Sequence, residues 1–256
     1  LSNLAPTTLA NISTRLKVGL GDNVLIGGFI VGGSAPKRVL LRALGPSLGL
    51  PGGLADPTLE LHSANALLAS NNDWQTDQKE EIVATGIPPA NAKESAIVAT
   101  LDPGAYTAIV NGAGGGTGLA LVEVYDLDQT SDSELANIST RGLVGTGDNV
   151  LIGGFIILGE DSAKAVIRAL GPSLPLSGAL ANPTLELYNG NGMVIASNDD
   201  WRTDQLFAIS ATGLQPTNDA EAAIVSTLPP GSYTAIVRGA DNTTGLALVE
   251  VYHLTD

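Results

Sequence analysis

There is no cysteine in this chain, so disulfides, thiolate metal sites and cysteine nucleophiles are excluded from the start. Histidine is almost as scarce, with only His62 and His253. Hydrolytic chemistry near neutral pH has few bases to draw on. Aromatic residues make up 4% of the chain, too few for an extended sugar-stacking platform. Positive charge is sparse: 12 Lys and Arg stand against 26 Asp and Glu, a formal net charge of −14. That field disfavours nucleic acid and anionic lipid as partners. It suits solubility outside a cell, or the binding of cations. No apolar run reaches the roughly 18 residues that a membrane-spanning helix needs.

What the chain does have is itself, twice. Leu9–Val31, LANISTRLKVGLGDNVLIGGFIV, returns as LANISTRGLVGTGDNVLIGGFII at Leu135–Ile157. Asn11 corresponds to Asn137, Asp22 to Asp148 and Arg42 to Arg168, each 126 residues apart. From Trp74 and Trp201 onward the offset is 127, because the second copy carries one extra residue before its Trp. A period this long does not suit a solenoid, whose repeats run about 20–50 residues. It suits two domains, each long enough for its own core. The expected division is a connector at 1–8, a module at 9–126, a linker at 127–134 and a second module at 135–256. Leu1 aligns with Leu127, so the opening LSNLAPTT reads as the connector that would follow an earlier module.

With 31 Gly and 14 Pro, the apolar residues fall into short runs between turn formers, the signature of many short strands. In the first module strands are expected at Ala10–Val18, Val24–Val31, Arg38–Leu44, Thr58–His62, Leu67–Ala69, Ala96–Leu101, Tyr106–Val110 and Leu119–Tyr125. Val24–Val31 is almost wholly apolar and reads as buried on both faces, or as a bend at Gly27 and Gly28. Pro46 stops the third strand, because proline cannot donate to a ladder. One helix-like stretch remains, Asp77–Thr85, with an Asp77–Glu80 capping box and a Gly86 stop. It should lie across one end of the module. Eight strands per module predict an all-β fold: two tandem jelly-roll-like antiparallel β-sandwiches with one short helix each.

Candidate chemistry is thin. The nucleophile-elbow pattern is missing around Ser47 and Ser173, which read as turn-capping serines. The loop Gly112–Gly118 has no Lys and no following helix, so it is a strand connection rather than a phosphate cradle. His62 corresponds to Tyr188, and His253 to Asp126, so no histidine is duplicated. Glu60 with Glu186, and Glu123 with Glu250, are repeated carboxylates that could suggest a glycosidase. Solvent exposure on alternating strands accounts for them equally well. Arg42 and Arg168 lie inside apolar strands and need partners if buried, for which Glu123 and Glu250 are the candidates. The Asn-Asp-Trp loops are the strongest site. Asn72, Asp73, Asn198, Asp199 and Asp200 offer oxygens of the kind calcium takes, with backbone or a second loop completing the set. Against this stands an Asx-turn with the Trp as a core plug.

The segments NPTLELYNGNGMVIASNDDW, TLPPGSYTAIVRG and TGLALVEVY resemble the C-terminal β-sandwich modules of secreted bacterial proteins, and are similar to the pre-peptidase C-terminal type. The resemblance implies an extracellular accessory or structural module rather than a catalytic domain. The chain departs from that setting in carrying no catalytic domain beside the pair.

Together these readings describe a non-enzymatic, exported structural protein that needs no cofactor. Its modules associate head-to-tail into a surface fibre, with Leu1, Leu4 and Pro6 in the inter-subunit contact. The alternative is a calcium-assisted carbohydrate-binding or adhesive appendage, with glycans as partners.

Overall fold

A computed structural model of the protein describes residues 8–129 and 132–254. It is all-β apart from two six-residue helices and three short 3-10 turns among the described residues. The first repeat supplies β1 (Thr8–Val18), β2 (Leu25–Gly33), β3 (Lys37–Leu44), β4 (Pro57–Ser63), β5 (Leu67–Asn71), α1 (Lys79–Ala84), β6 (Ser95–Leu101), β7 (Gly104–Gly112) and β8 (Gly118–Asp126). The second supplies β9 (Ser133–Val144), β10 (Leu151–Leu158), β11 (Ala163–Leu170), β12 (Pro183–Asn189), β13 (Val194–Asn198), α2 (Leu206–Ala211), β14 (Ala222–Leu228), β15 (Gly231–Gly239) and β16 (Gly245–Leu254).

Strand pairing in the first repeat runs β1-β8-β3-β6 in one sheet and β2-β7-β4-β5 in the other, antiparallel throughout. This is the jelly-roll order, two interlocked Greek keys. The second repeat copies it as β9-β16-β11-β14 and β10-β15-β12-β13. Val39, Leu41 and Ala43 of β3 and Val122 and Val124 of β8 turn inward. Leu25, Phe29 and Val31 of β2 are buried likewise, on the facing sheet. The sheets approach closely at Gly27, where an added Cβ would stand 3.2 Å from Val122 Cγ1. A Cβ added at its counterpart Gly153 would stand 3.3 Å from Val249 Cγ1. Burial along β2 alternates, and Ile30 is exposed. The expectation of a strand buried on both faces is therefore corrected: glycine makes the run look continuously apolar by letting the facing sheet approach.

The helices differ from expectation in two respects. Neither has a capping box. Gln78 precedes α1 in the left-handed region at φ 50°, and its amide donates to Val98 O at 2.8 Å and accepts from Val98 N at 3.0 Å. Gln205 does the same with Val225. The side-chain amide thus supplies the missing neighbour of an edge strand, which outweighs a cap. The helix also lies on the outer face of the β6-β3-β8 sheet, not across an end. Ile82 packs there with Leu40, Trp74, Ala96 and Val98, as Ile209 packs with Val166, Trp201, Ala223 and Val225. Gly86 ends the helix at φ 79°, as the sequence predicts.

The chain divides into two compact units, and the division runs through β1 and β9. Among the described residues the N-terminal unit holds Asn11–Ala136, while the C-terminal unit holds those from Asn137 onward with Thr8–Ala10. These units begin two residues inside the repeat openings at 9 and 135, and the described residues of 127–134 belong to the N-terminal unit. The cause is that each opening strand serves two sheets. From Asn11 onward β1 pairs with β8, whereas its first residues lie beside β10.

One feature of the N-terminal unit has no copy. Lys37, fully buried, donates to Asp126 Oδ2 at 2.9 Å and to the carbonyl of Asp128. Asp126 Oδ1 in turn accepts from Asp128 N at 2.8 Å. The second repeat has Ala163 and His253 at the two positions. Removing one member of a buried pair strands the other charge and costs about 3–5 kcal/mol. Lys37→Ala should therefore destabilise the N-terminal unit by about 3 kcal/mol in denaturant titration. Adding Asp126→His, which reproduces the second repeat, should restore at least half of that loss.

Candidate functional site

The expected calcium loops are built by the residues that tie them to the sheet. Asn71 sends its side-chain oxygen to Ala96 N at 3.1 Å and its amide to Asp73 O at 3.3 Å. Asn198 does likewise with Ala223 N and Asp200 O. Asn198 is therefore a buried strap, with its side-chain oxygen already engaged. The carbonyls of Asp73 and Asp200 are taken by Thr76 and Thr203. Trp74 and Trp201 are buried, and their indole N–H groups donate to Asn91 O and Asn218 O. Beyond this common frame the loops diverge. In the first, Lys93 lies 3.7 Å from Asp73 and 3.2 Å from Asp56. In the second, the residue at the lysine position is Ala220, and Asp199 replaces Asn72. Desolvation by the loop around it, with Asp200 and Asp241 nearby, shifts the exposed Asp199 carboxyl upward from its usual value. An open groove of ≈ 340 Å³ adjoins Asp199, lined also by Glu186, Asp204 and Arg238. Among the described residues no three His, Asp or Glu side chains are placed to hold one metal ion.

The repeated carboxylates resolve into local bonds. Glu60 Oε2 accepts from His62 Nε2 at 2.8 Å, and Glu186 accepts from Tyr188 OH at 2.9 Å. The His and Tyr of the two copies thus make the same contact two residues along the strand. Glu123 is bound by Arg42 through both Nε and the terminal nitrogen, the pairing expected from sequence. Arg42 also donates to Ile87 O at 2.8 Å and to Tyr125 OH at 3.1 Å, and lies over the Tyr125 ring. Arg168, Glu250, Leu214 and Tyr252 repeat the arrangement. The network sits on the outer sheet face, where it fastens the segment after the helix to β3 and β8.

Sequence reasoning passed over Glu94 and Glu221. Each is fully buried at the start of β6 or β14. Glu94 Oε1 accepts Gly45 N, Ser47 N and Ser47 Oγ at 3.0, 2.9 and 2.5 Å, and Oε2 accepts Asn91 N at 3.1 Å. Glu221 repeats all four bonds with Gly171, Ser173 and Asn218. Ser47 and Ser173 therefore serve a buried carboxylate. The signal was present: this acid holds its place in both copies while Lys93 beside it becomes Ala220.

The remaining candidate is a sheet edge. In the N-terminal unit β2 ends its four-stranded sheet, and the start of β9 lies against it as a fifth strand. Ser34 N donates to Asp132 O at 3.0 Å and Ser133 Oγ to Pro36 O at 3.4 Å. Gly33, at φ 96°, would put a Cβ 2.2 Å from Asp132 O, so a side chain there would block the approach. In the C-terminal unit Thr8–Ala10 lies on the corresponding edge, β10. Leu9 and Leu135 are both essentially inaccessible. Asn11 and Asn137, at the change of sheet, donate to Val124 O and Val251 O. Leu1, Leu4 and Pro6, the residues expected in an inter-subunit contact, lie outside the described residues.

No known family and no curated protein matches the chain. Among solved structures it is similar to the STIV MCP at 11% identity, covering 97% of both chains with a TM-score of 0.25. It is also similar to a chain of the Sulfolobus Turreted Icosahedral Virus, at 12% identity over 98% of this chain and 89% of that one, with a TM-score of 0.23. The M60 catalytic domain with CBM51 domains of ZmpB from Clostridium perfringens matches at 8% identity, over 88% of this chain and 33% of that one, with a TM-score of 0.23. At such scores these likenesses carry no functional argument, and the jelly-roll assignment stands on strand order.

Burial, together with the adjacent Glu123, pushes the Tyr125 hydroxyl up to about 12, and burial with Glu250 does the same for Tyr252. A raised phenol pKa means the folded state prefers the neutral form. Stability is unaffected below the ordinary value of about 10 and is lost as pH rises from there toward 12. Thermal melts between pH 9 and pH 12 should show that fall. The Tyr125→Phe/Tyr252→Phe chain should start lower at pH 9 and fall less steeply.

Proposed function

We propose that this is a non-enzymatic, extracellular structural protein whose tandem jelly rolls associate head-to-tail into a fibre. The observation that supports this most is that an edge strand in each unit is covered by the opening strand of a different repeat. An uncovered edge presents a row of unpaired N–H and C=O groups that any extended segment can join. Strand addition of this kind gives affinity through main-chain bonds and order through side-chain pockets. The repeated carboxylates that could have suggested catalysis are engaged with arginine, histidine or tyrosine, Glu123 and Glu250 with Arg42 and Arg168, Glu60 with His62 and Glu186 with Tyr188. They hold turns and strands together. The acidic surface and the likeness of the second repeat's hairpins to secreted bacterial modules support an exported protein. Deleting residues 1–10 should convert fibres into discrete particles in electron micrographs, and undiminished fibres from the truncated chain would remove the reading.

The raised carboxyl of Asp199 favours a second reading, calcium-assisted carbohydrate or adhesive binding, in the C-terminal unit alone. Here the sign can be tested. An Asp whose folded pKa is raised weakens the fold as pH climbs through the usual carboxylate range. Without calcium, Asp199→Asn should raise Tm at pH 7 and leave it unchanged at pH 3. If calcium binds there, the ion should raise the Tm of the unaltered chain and not of the variant. A Tm insensitive to both calcium and chelator removes this second reading.

A further inference from the structure

We propose that the β10 edge is an acceptor for Thr8–Ala10 of a second copy of the chain. This strand exchange between copies would be the bond on which the head-to-tail reading rests. The precedent is inside the molecule. The β2 edge holds 132–136, the opening of the repeat that follows it, with Ala136 Cβ 3.3 Å from where a Gly32 Cβ would stand. Thr8–Ala10 are the equivalents of 134–136, and they occupy the equivalent edge of the other unit.

The donors and acceptors are interchangeable in sequence. Leu9–Arg15 and Leu135–Arg141 both read LANISTR, and Leu25–Ile30 and Leu151–Ile156 both read LIGGFI. The buried leucine, the strand that receives it and the asparagine at the change of sheet are the same in either pairing. A segment of one copy therefore replaces that of another without any new surface, which is the condition for swapping an element between protomers. The donor is also inseparable from its own module. Ala10 runs without a loop into Asn11–Val18, which pairs with β8 over eight residues. Whatever edge receives Thr8–Ala10 is thereby fixed to the N-terminal unit of the chain that donates it. Chain concentration sets which copy that is, since the intramolecular and intermolecular pairings make the same bonds and differ only in effective concentration.

The absence of cysteine makes the test clean. Ala10 and Leu158 are the sequence equivalents of Ala136 and Gly32, whose Cβ positions, 3.3 Å apart, need to separate only slightly to reach the disulfide range of about 3.5–4.5 Å. The Ala10→Cys/Leu158→Cys chain, refolded at high concentration, oxidised and run without reductant, should give a ladder of multiples of the 26.0 kDa chain. Gly32→Cys/Ala136→Cys, whose pairing lies within one unit, should stay at one chain. A single-chain band from the first variant, with its thiols oxidised, would overturn the proposal. Should the cysteine variants fail to fold, sedimentation of the unaltered chain over a hundredfold range of concentration decides the matter. Mass that rises with concentration, and does not rise for Leu9→Asp, supports the exchange. A constant mass of one chain overturns it. A ladder ending at two chains, with no filaments in micrographs, keeps the exchange and removes the fibre. Filaments built from chains that never cross-link keep the fibre and remove this pairing.

Discussion

The structure depends on the demand of backbone N–H and C=O groups for partners wherever a sheet ends. A jelly roll leaves four edges per module, and three of them are handled here in different ways. The free side of β6 is met by the amide fork of Gln78, and that of β14 by Gln205. The β2 and β10 edges are met by strand openings from the other repeat. The β5 and β13 edges carry exposed Leu67, Leu68, Met193, Val194 and Ile195 on short strands. Shortness limits how much template such an edge offers.

With these edges met, the interior can be ordinary. Small and branched aliphatic residues fill it, and glycine sets the spacing where the sheets approach closely. The polar load falls on a few buried groups that occur in both copies. Glu94 and Glu221 gather the turn after the third strand, the Asn turn and the Trp loop around one carboxylate each. Trp74 N and Trp201 N bond to the carbonyls of those same residues at 2.9 and 2.8 Å. Arg42 and Arg168 fasten the helix-side layer. Such groups stabilise only when all their bonds are made, and the repetition of every bond in both units shows that the arrangement is a property of the fold.

Much of this was legible in the residues. Glycine and proline mark the strand ends, and the duplication let each reading be checked against its copy. Arg42 inside RVLLRAL needed an acid, and Glu123 was the acid on a strand of the right pattern. Other features were hidden for physical reasons. Glu94 follows Lys93 and precedes Ser95, so it reads as surface charge until three turns are seen to converge on it. The Asp77–Glu80 spacing matched a cap, but Gln78 had a stronger use for its amide at the edge of β6. The loop oxygens of Asn198 looked available for a cation because sequence does not show that the amide already bonds Ala223. The change of sheet at Asn11 and Asn137 shows only as a one-residue shift in parity, Leu9 to Ile12 and Leu135 to Ile138, and the small Ala and polar Asn between them let the run read as one strand.

The strand shared between two sheets also has a mechanical side. Tension applied along β1 draws its first residues lengthwise past β10, so the bonds there are strained together instead of opening one after another from an end. Under the proposed exchange, copies joined this way would be loaded in shear, the stronger of the two geometries available to a β-ladder, with no covalent cross-link. Each joint would then be made of the same few residues, so that one that slipped could re-form on the next free edge.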